Sequence, residues 1–539
     1  MPRPLLACLL AAGAAANLLA AGAAELPPGP AAAAPAQRDP SLRPPGVAWF
    51  DGELADAFEA ARAAGKPVFL YWGAVWCPPC QELKATVFRR RDFLDRLRLF
   101  VPIYLDGDAA GAQAWAERFG VSGYPTVLVL RSDQRELERV SGGMDLSRYA
   151  EVLDLALGQE RPARELLASA ASVGGRLSPA DCRQLAYNAW ALDDAWLYRD
   201  SDPQSLAALA GALDRASQLC PSALRVERAR LLITALAAEL AAEAKGLEQG
   251  KAPSAGLRAL LGRMPAILDD RGLALAAGDV LQYLPAQYFT ASARGDPAQR
   301  DWLRARWFAL MDALAADQRY SAADQLDALG SKLIAAKALD PGGAVPRPLA
   351  REATRRIDQA LAREHEPYAR ASLVNSALNA LETLGDMDRA TAILSAEIRT
   401  AAYPYYYMSD LAALEEKRGH PDVAIQWLAR SFHEAQGPAT RFQWGVGYVC
   451  GLVRMQPQDD VAIRDATVAV LAELDAAGDL HGRTRRSLGR LEASLRQWNR
   501  DAAHAAAIGA ARERMQSICG KIPADDSARP ACEDFLRNA

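Results

Sequence analysis

The pattern of apolar and polar positions divides this chain in two. Up to residue 158, short apolar runs alternate with mixed stretches; from Gln159 onward, apolar residues recur every three or four positions. In the first part the unbroken run Pro67-Val68-Phe69-Leu70-Tyr71-Trp72 predicts a strand, and Gln81-Glu82-Leu83-Lys84-Ala85 predicts a helix. A second strand is expected over Phe100-Val101-Pro102-Ile103-Tyr104-Leu105-Asp106. An amphipathic helix follows from Ala112 to Phe119, and a further strand over Val127-Leu128-Val129-Leu130. The second part is Ala/Leu-rich with few alternating β-branched runs, which predicts helices throughout. It is too long for one ordinary core, so a subdivided or repeating array is expected.

An internal repeat supports that expectation. Leu384-Gly385-Asp386 through Leu394 aligns with Arg418-Gly419-His420 through Leu428, and Gly385 and Gly419 stand 34 residues apart, as do Ala390 and Ala424. Glycine ends one helix, and a small alanine lets the next pack closely. A helix–turn–helix period of this length resembles tetratricopeptide repeats. Two good copies fall short of the three an array needs, so neighbouring stretches are expected to supply degenerate copies. The run Tyr403-Pro404-Tyr405-Tyr406-Tyr407 has two readings. It lines a peptide groove, or it packs between two helices with hydroxyls at the rim; the second is favoured.

The chemistry sits between the first predicted strand and helix, at Trp76-Cys77-Pro78-Pro79-Cys80. Two cysteines two residues apart close a small disulfide that opens easily and carries two electrons. A helix N-terminus offers unpaired N–H groups and partial positive charge, which favour the Cys77 thiolate and make it the expected nucleophile. Cys80, one turn on, is placed to resolve a mixed disulfide. Pro78 and Pro79 suit a first helical turn, where a missing N–H costs little. Zinc is the competing use of a CxxC, but it needs four donors. No second CxxC occurs, and the five histidines (His365, His420, His433, His481, His504) lie far downstream without metal spacing.

Residues 47–158 resemble the thioredoxin superfamily. The resemblance rests on the WCxxC at a strand-to-helix junction, the second strand, the amphipathic helix, and Val121-Ser122-Gly123-Tyr124-Pro125-Thr126 running into the last strand. It implies an α/β thioredoxin fold, a central mixed sheet flanked by helices. It further implies a cis Pro125 facing the CxxC, a Tyr124 backbone that holds a substrate strand, and a Trp76 that shields the nucleophile. Trp49, Ala57, Ala61 and Gly65-Lys66-Pro67-Val68 make the segment look most like the periplasmic domains of the transmembrane thiol-reductase type. One position departs. Six residues before the first cysteine the family places a buried carboxylate that helps move the resolving thiol's proton; here stands Tyr71, a poor base near neutral pH. Glu82 is near in sequence but is expected to project from the helix.

Composition places the chain in a compartment. Arg3, the apolar stretch Leu5 to Leu19 and small residues at 21–24 read as a secretory signal, too short to span a membrane comfortably. Residues 25–46 hold seven prolines and read as an extended linker. The expected organisation is therefore signal 1–24, linker 25–46, thioredoxin-like domain 47–158, helical domain 159–345, and a second helical part 346–539 with tetratricopeptide-like repeats and a cysteine-containing tail. Export means that disulfides persist. Of the seven cysteines left after the signal, Cys519 with Cys532 is the first candidate for a structural disulfide and Cys182 with Cys220 the second, leaving Cys450 as the expected unpaired thiol. A net charge of −4 without basic clusters argues against nucleic acid.

The expected function is an exported, periplasmic or secreted thiol–disulfide oxidoreductase, most simply a protein-disulfide reductase. No metal or organic cofactor is implied. Its partners would be protein thiols and disulfides, a redox partner, and a protein docked on the helical domain. Two alternatives use the same sequence: a helical-repeat adaptor carrying a thioredoxin-like module, and a disulfide oxidase or isomerase.

Overall fold

The structure is a computed structural model that describes residues 43–121, 123–140, 144, 146–159, 161–172, 174–190, 203–477 and 479–537. The expected signal and residues 25–42 of the expected linker lie outside the described residues. An α/β segment comes first and an all-helical region follows, as the texture of the sequence predicts. The described residues form two compact units, one of residues 43–105 with 121–393, the other of 106–120 with 394–537.

The first unit is built on a four-stranded mixed sheet. Helix α1 (Leu54–Ala64) precedes β1 (Val68–Gly73); α2 (Pro78–Ala85) and α3 (Arg91–Leu97) lead to β2 (Val101–Asp106). Then come β3 (Thr126–Leu130), β4 (Glu136–Val140) and α5 (Arg148–Leu157). The strand order is β2-β1-β3-β4, with β1 antiparallel to β3 and β3 antiparallel to β4. All six residues of β1 are buried, which explains its unbroken apolar run: a central strand with both faces covered has no polar side. Phe69, Tyr71, Val127 and Val129 meet Phe88, Phe93 and Leu97 on one face, together with Tyr149, Val152 and Leu153 of α5. The alternate residues Val68, Leu70 and Trp72 point to the opposite face.

Strand β4 did not stand out in the sequence, because Glu136-Leu137-Glu138-Arg139-Val140 carries three charges. Its outer edge is covered from the helical region. The amide of Gln184 donates to Leu137 O (2.7 Å), Arg139 N–H donates to Asn188 Oδ1 (2.9 Å), and Ala189 N–H donates to Arg139 O (2.7 Å). An edge covered this way cannot recruit a foreign strand. Glu138 pairs across to Val129 and so lies on the apolar face; it is 1% exposed, and neither carboxylate oxygen has a hydrogen-bond partner. Burial, with Glu136 nearby, pushes its carboxyl well above the ordinary glutamate range.

Beyond the sheet, the helical part of this unit packs one large core that includes Leu213, Leu236, Phe289 and Trp307. A disulfide joins Cys182 to Cys220, tying helix Pro179–Tyr187 to the end of helix Pro203–Leu219. Arg230 and Asp279 form a buried ion pair, with the Arg230 guanidinium 4.3 Å over the Tyr187 ring.

In the second unit, helix α4 (Ala112–Arg118) packs with helices of the C-terminal region, and the two sides cap one another. Asp108 receives both the Thr440 N–H (2.7 Å) and the Thr440 hydroxyl (2.6 Å) at the start of helix Pro438–Met455. Gly437 precedes that helix at φ 85°, and a Cβ there would lie 2.4 Å from Asp108 Cγ, so the contact requires glycine. Glu117 and Gln113 accept from the N–H groups of Gly482 and Arg483 in the first turn of helix Gly482–Trp498, while Asp479 accepts from Ala114 N–H in the first turn of α4.

The glycines of the internal repeat behave alike. Gly385 and Gly419 both take left-handed backbone conformations (φ 74° and 82°) just after helices Pro367–Leu384 and Pro404–Lys417. Ala390 and Ala424, the small residues of the two copies, are buried. In the tyrosine run Tyr405 and Tyr407 are buried, and Tyr405 sets its ring edge-on to Trp444; its hydroxyl is buried as well, not at a rim. No helix among the described residues is long and apolar enough to cross a membrane.

Glu138 yields a prediction with a definite sign. Its folded pKa is raised, so its contribution is harmless below the unfolded value of about 4.3 and turns destabilising as pH rises above it. Glu138→Gln should therefore be more stable than the natural chain by a margin that grows between pH 5 and 7, by up to about 1.4 kcal/mol per pH unit. Denaturant unfolding of both proteins at several pH values measures this; a margin independent of pH would contradict it.

Candidate functional site

The Trp76–Cys80 segment folds as a strand end feeding a helix start. Cys77 is extended (φ −81°, ψ 113°) and is the N-cap of α2; Pro78 and Pro79 take the first helical positions. A disulfide joins Cys77 to Cys80. The proline pair leaves few N–H groups in this turn. The one at Cys80 points back to Cys77 Sγ at 3.2 Å. The helix then locks in with Gln81 N–H donating to Cys77 O at 3.1 Å.

Both sulfurs sit inside the protein surface, with Cys77 2% and Cys80 0% exposed. Ala74 forms a small cluster with them, and Trp76 and Tyr124 pack against it with their rings edge to face at 6.1 Å. Pro78 is buried and Pro79 exposed. The Tyr124–Pro125 peptide bond is cis. Since Thr126 pairs with Trp72, this bond lies one residue beyond the β1–β3 ladder, at the end of the sheet that carries Cys77. The structure thus brings together Cys77, Cys80, Trp76 and Tyr124, with Pro125 adjoining through its peptide bond.

Tyr71, at the position where a carboxylate was expected by resemblance, is fully buried, and its hydroxyl donates to Cys80 O at 3.2 Å. The phenol supports the backbone of the second cysteine. Glu82 does not project into solvent. Its carboxyl is enclosed and hydrogen-bonded to the hydroxyls of Ser321, the cap of helix Ala322–Leu339, and Ser372, within helix Pro367–Leu384, both in the same unit. One residue of α2 is thus engaged from 239 and 290 positions downstream. Nothing local in the sequence signals them. Lys84, one turn beyond Cys80, is also buried, with its ammonium 5.8 Å from the centre of the Tyr368 ring.

The remaining cysteines lie elsewhere. Cys519–Cys532 is a disulfide in the second unit, linking the end of helix Ala505–Cys519 to helix Arg529–Asp534, with both residues buried. Cys450 is in no disulfide. Among the described residues no group of three or more His, Cys, Asp or Glu side chains is arranged to hold a metal ion.

A strand–CxxC–helix unit with a cis-proline before β3, the strand paired with β1, defines a class, and the comparisons agree. Residues 54–157 match the family model of a thioredoxin-like domain, and this segment is a thioredoxin-like domain. The chain is similar to two proteins named thiol:disulfide interchange protein DsbD. The one from Pseudomonas fluorescens is 32% identical over 101 residues, 18% of this chain and 17% of that protein. The one from Pseudoalteromonas atlantica is 32% identical over 105 residues, 19% of this chain and 17% of that protein. The chain thus spans 17% of the length of these curated relatives.

The asymmetry of the pair predicts unequal reactivity once the disulfide is reduced. Cys77 keeps the Cys80 N–H and the helix start, whereas Cys80 is enclosed within the turn. A charge-assisted hydrogen bond contributes about 1.5–3 kcal/mol, which is one to two pKa units at about 1.36 kcal/mol each. Brief alkylation near neutral pH should therefore label Cys77 at least about tenfold faster than Cys80. Peptide mapping by mass spectrometry reads this directly, and preferential labelling of Cys80 would reverse the roles.

Proposed function

We propose that this protein is an exported thiol–disulfide oxidoreductase that reduces disulfides in proteins. The observation that carries the reading is the Cys77–Cys80 disulfide at the start of α2, inside a thioredoxin-like domain. In the reduced enzyme the Cys77 thiolate attacks one sulfur of a substrate disulfide. A mixed disulfide forms, and the other substrate sulfur leaves as a thiolate that takes up a proton. Cys80 loses its proton and attacks Cys77 Sγ. The second substrate thiol is released, and the enzyme is left oxidised, two electrons poorer. A redox partner must then return those electrons.

The other residues take supporting roles in this reading. Trp76 and Tyr124 wall the dithiol, and the backbone around Tyr124 and Pro125 holds the substrate strand. Pro78 and Pro79 limit the donors at Cys77. Tyr71 donates to a carbonyl and is no general base near neutral pH, so the proton of Cys80 leaves through water or the substrate. The apolar N-terminal stretch supports export, and the hairpins around Gly385 and Gly419 support a tetratricopeptide-like region that engages a protein partner. The names of the DsbD relatives are consistent with thiol–disulfide exchange at the domain they share with this chain.

The poise of the couple follows from the prolines. With fewer N–H donors on Cys77 and no histidine in the dipeptide, the thiolate is only moderately stabilised, and a less stable reduced form makes a weaker oxidant. The expected potential lies nearer to the thioredoxin value of about −270 mV than to the strong-oxidant value of about −120 mV. Equilibration with glutathione, followed by Trp76 fluorescence, measures it. Insulin reduction under a chemical electron donor should be catalysed by the natural chain and abolished in Cys77→Ser. A potential above roughly −160 mV, close to the oxidant end, would move the assignment to an oxidase. Retention of the cellular phenotype by Cys77→Ser would favour the adaptor reading.

A further inference from the structure

The face of α2 turned away from the sheet is not bare. It meets the residue that caps helix Ala322–Leu339 and packs on helix Pro367–Leu384, both within the same compact unit as the dithiol. Ser321 is the N-cap of the first of these helices and lies beside its start, while Ser372 lies within the second. Both are buried, and their hydroxyls hydrogen-bond the Glu82 carboxyl, Ser321 at Oε1 and Ser372 at Oε2. Arg89, just beyond α2, pairs with Glu366 at the start of the second helix (3.1 Å). Lys84 meets Tyr368 on that helix's first turn.

We propose that Glu82 is a positioning residue for the dithiol, bracing the active-site helix against the helical region so that the chemistry of Cys77 depends on residues outside the thioredoxin-like domain. This inference rests on the oxidoreductase reading and deepens it.

The Ser321 oxygen accepts the Asp324 N–H (3.1 Å) and lies 2.9 Å from Asp324 Oδ2 as well as against Glu82. A hydroxyl has one hydrogen and cannot donate to two carboxylates. One of the two acids must bring its own proton. Burial agrees, pushing Glu82 above the ordinary range and Asp324 well above it, with Glu82 and Asp327 adding to the effect on Asp324. The other groups facing this cluster are Tyr283, which donates to Asp327 at 3.3 Å, Ser376 on Asp327, and Tyr149. The brace therefore works as a shared-proton hydrogen-bond network.

The brace reaches the sulfur through the helix. Glu82 lies two residues beyond Cys80, whose N–H is the donor aimed at Cys77 Sγ. With prolines at the first two helical positions, the donor at Cys80 is set by where the rest of α2 is held. Loosening α2 weakens that donor, destabilises the Cys77 thiolate and makes the reduced form less favourable.

The experiment uses the full chain and three variants: Glu82→Ala, Glu82→Gln and Ser372→Ala. Glutamine keeps one acceptor oxygen for a serine hydroxyl, offers an amide donor to the other and carries no charge, and should rescue. For each protein the pH profile of Cys77 alkylation and the glutathione equilibrium are measured. Glu82→Ala should slow alkylation near neutral pH about tenfold, one pKa unit. It should also shift the equilibrium about tenfold toward the disulfide, about 30 mV. Glu82→Gln should stay within about twofold of the natural chain on the same scale, and Ser372→Ala should shift in the direction of Glu82→Ala. A purely structural role would lower the melting temperature of Glu82→Ala while leaving both readouts in place, and that result overturns the proposal. If Glu82→Ala does not fold, unchanged readouts in Ser372→Ala overturn it equally. If the natural chain shows no exchange with glutathione at all, the oxidoreductase reading fails first.

Discussion

The first turn of a helix presents N–H groups that the helix itself cannot pair, and the organisation of this protein follows from how those groups are met. At α2 the Cys80 N–H meets the Cys77 sulfur, which builds the reactive pair. At helix Pro438–Met455 the groups meet Asp108, and at helix Gly482–Trp498 they meet Gln113 and Glu117. Asp479 returns the favour to α4. One electrostatic demand is answered by sulfur where chemistry is wanted and by carboxyl or amide oxygen where attachment is wanted. The second kind of answer comes from residues hundreds of positions away, so residues 106–120 are joined to the C-terminal helices of their unit by helix starts.

Polar satisfaction also explains the division of labour around the active-site helix. One side of α2 supplies Leu83 to the aromatic core beneath the sheet, together with Val87 and Phe88 just beyond the helix. Leu83 is flanked by Glu82 and Lys84, charged types that ordinarily mark a solvated face. Here each finds a specific partner in a helix: hydroxyls for the acid, and an aromatic ring for the ammonium. The helical region thus contributes contacts whose chemistry matches individual residues of the redox helix.

What the sequence disclosed, and what it hid, follows from the range of the interactions. Val68 to Trp72 was legible as a strand because an unbroken apolar run encodes its own burial. The CxxC was legible because its spacing is its chemistry. The long helices of the second part declared themselves through apolar periodicity, and Gly385 and Gly419 through the turn each must make. Strand β4 was hidden because Glu138 and Arg139 are buried against the usual preference, and their surroundings come from other parts of the chain. The fate of Glu82 was hidden for the same reason. A glutamate on a short helix reads as solvated, and Ser321 and Ser372 carry no signal that they will face it. Tyr71 was legible as a departure from the family pattern, but its role as a donor to the Cys80 carbonyl was not, since that depends on the depth at which β1 lies under α2.

The covered edge of β4 has a consequence for the order of events on the ribosome. The strand ends at Val140, but the groups that close its edge belong to Gln184, Asn188 and Ala189. At a synthesis rate of about 5–20 residues per second, the sheet waits roughly 2–10 s for its cover. During that interval the outward Leu137 C=O and the Arg139 N–H and C=O have no cover, and charged residues on an open edge strand discourage pairing with a neighbouring chain. When Gln184, Asn188 and Ala189 arrive, they take over those groups. The charges that made this strand hard to read also make it a poor partner for a stranger while its sheet is still open.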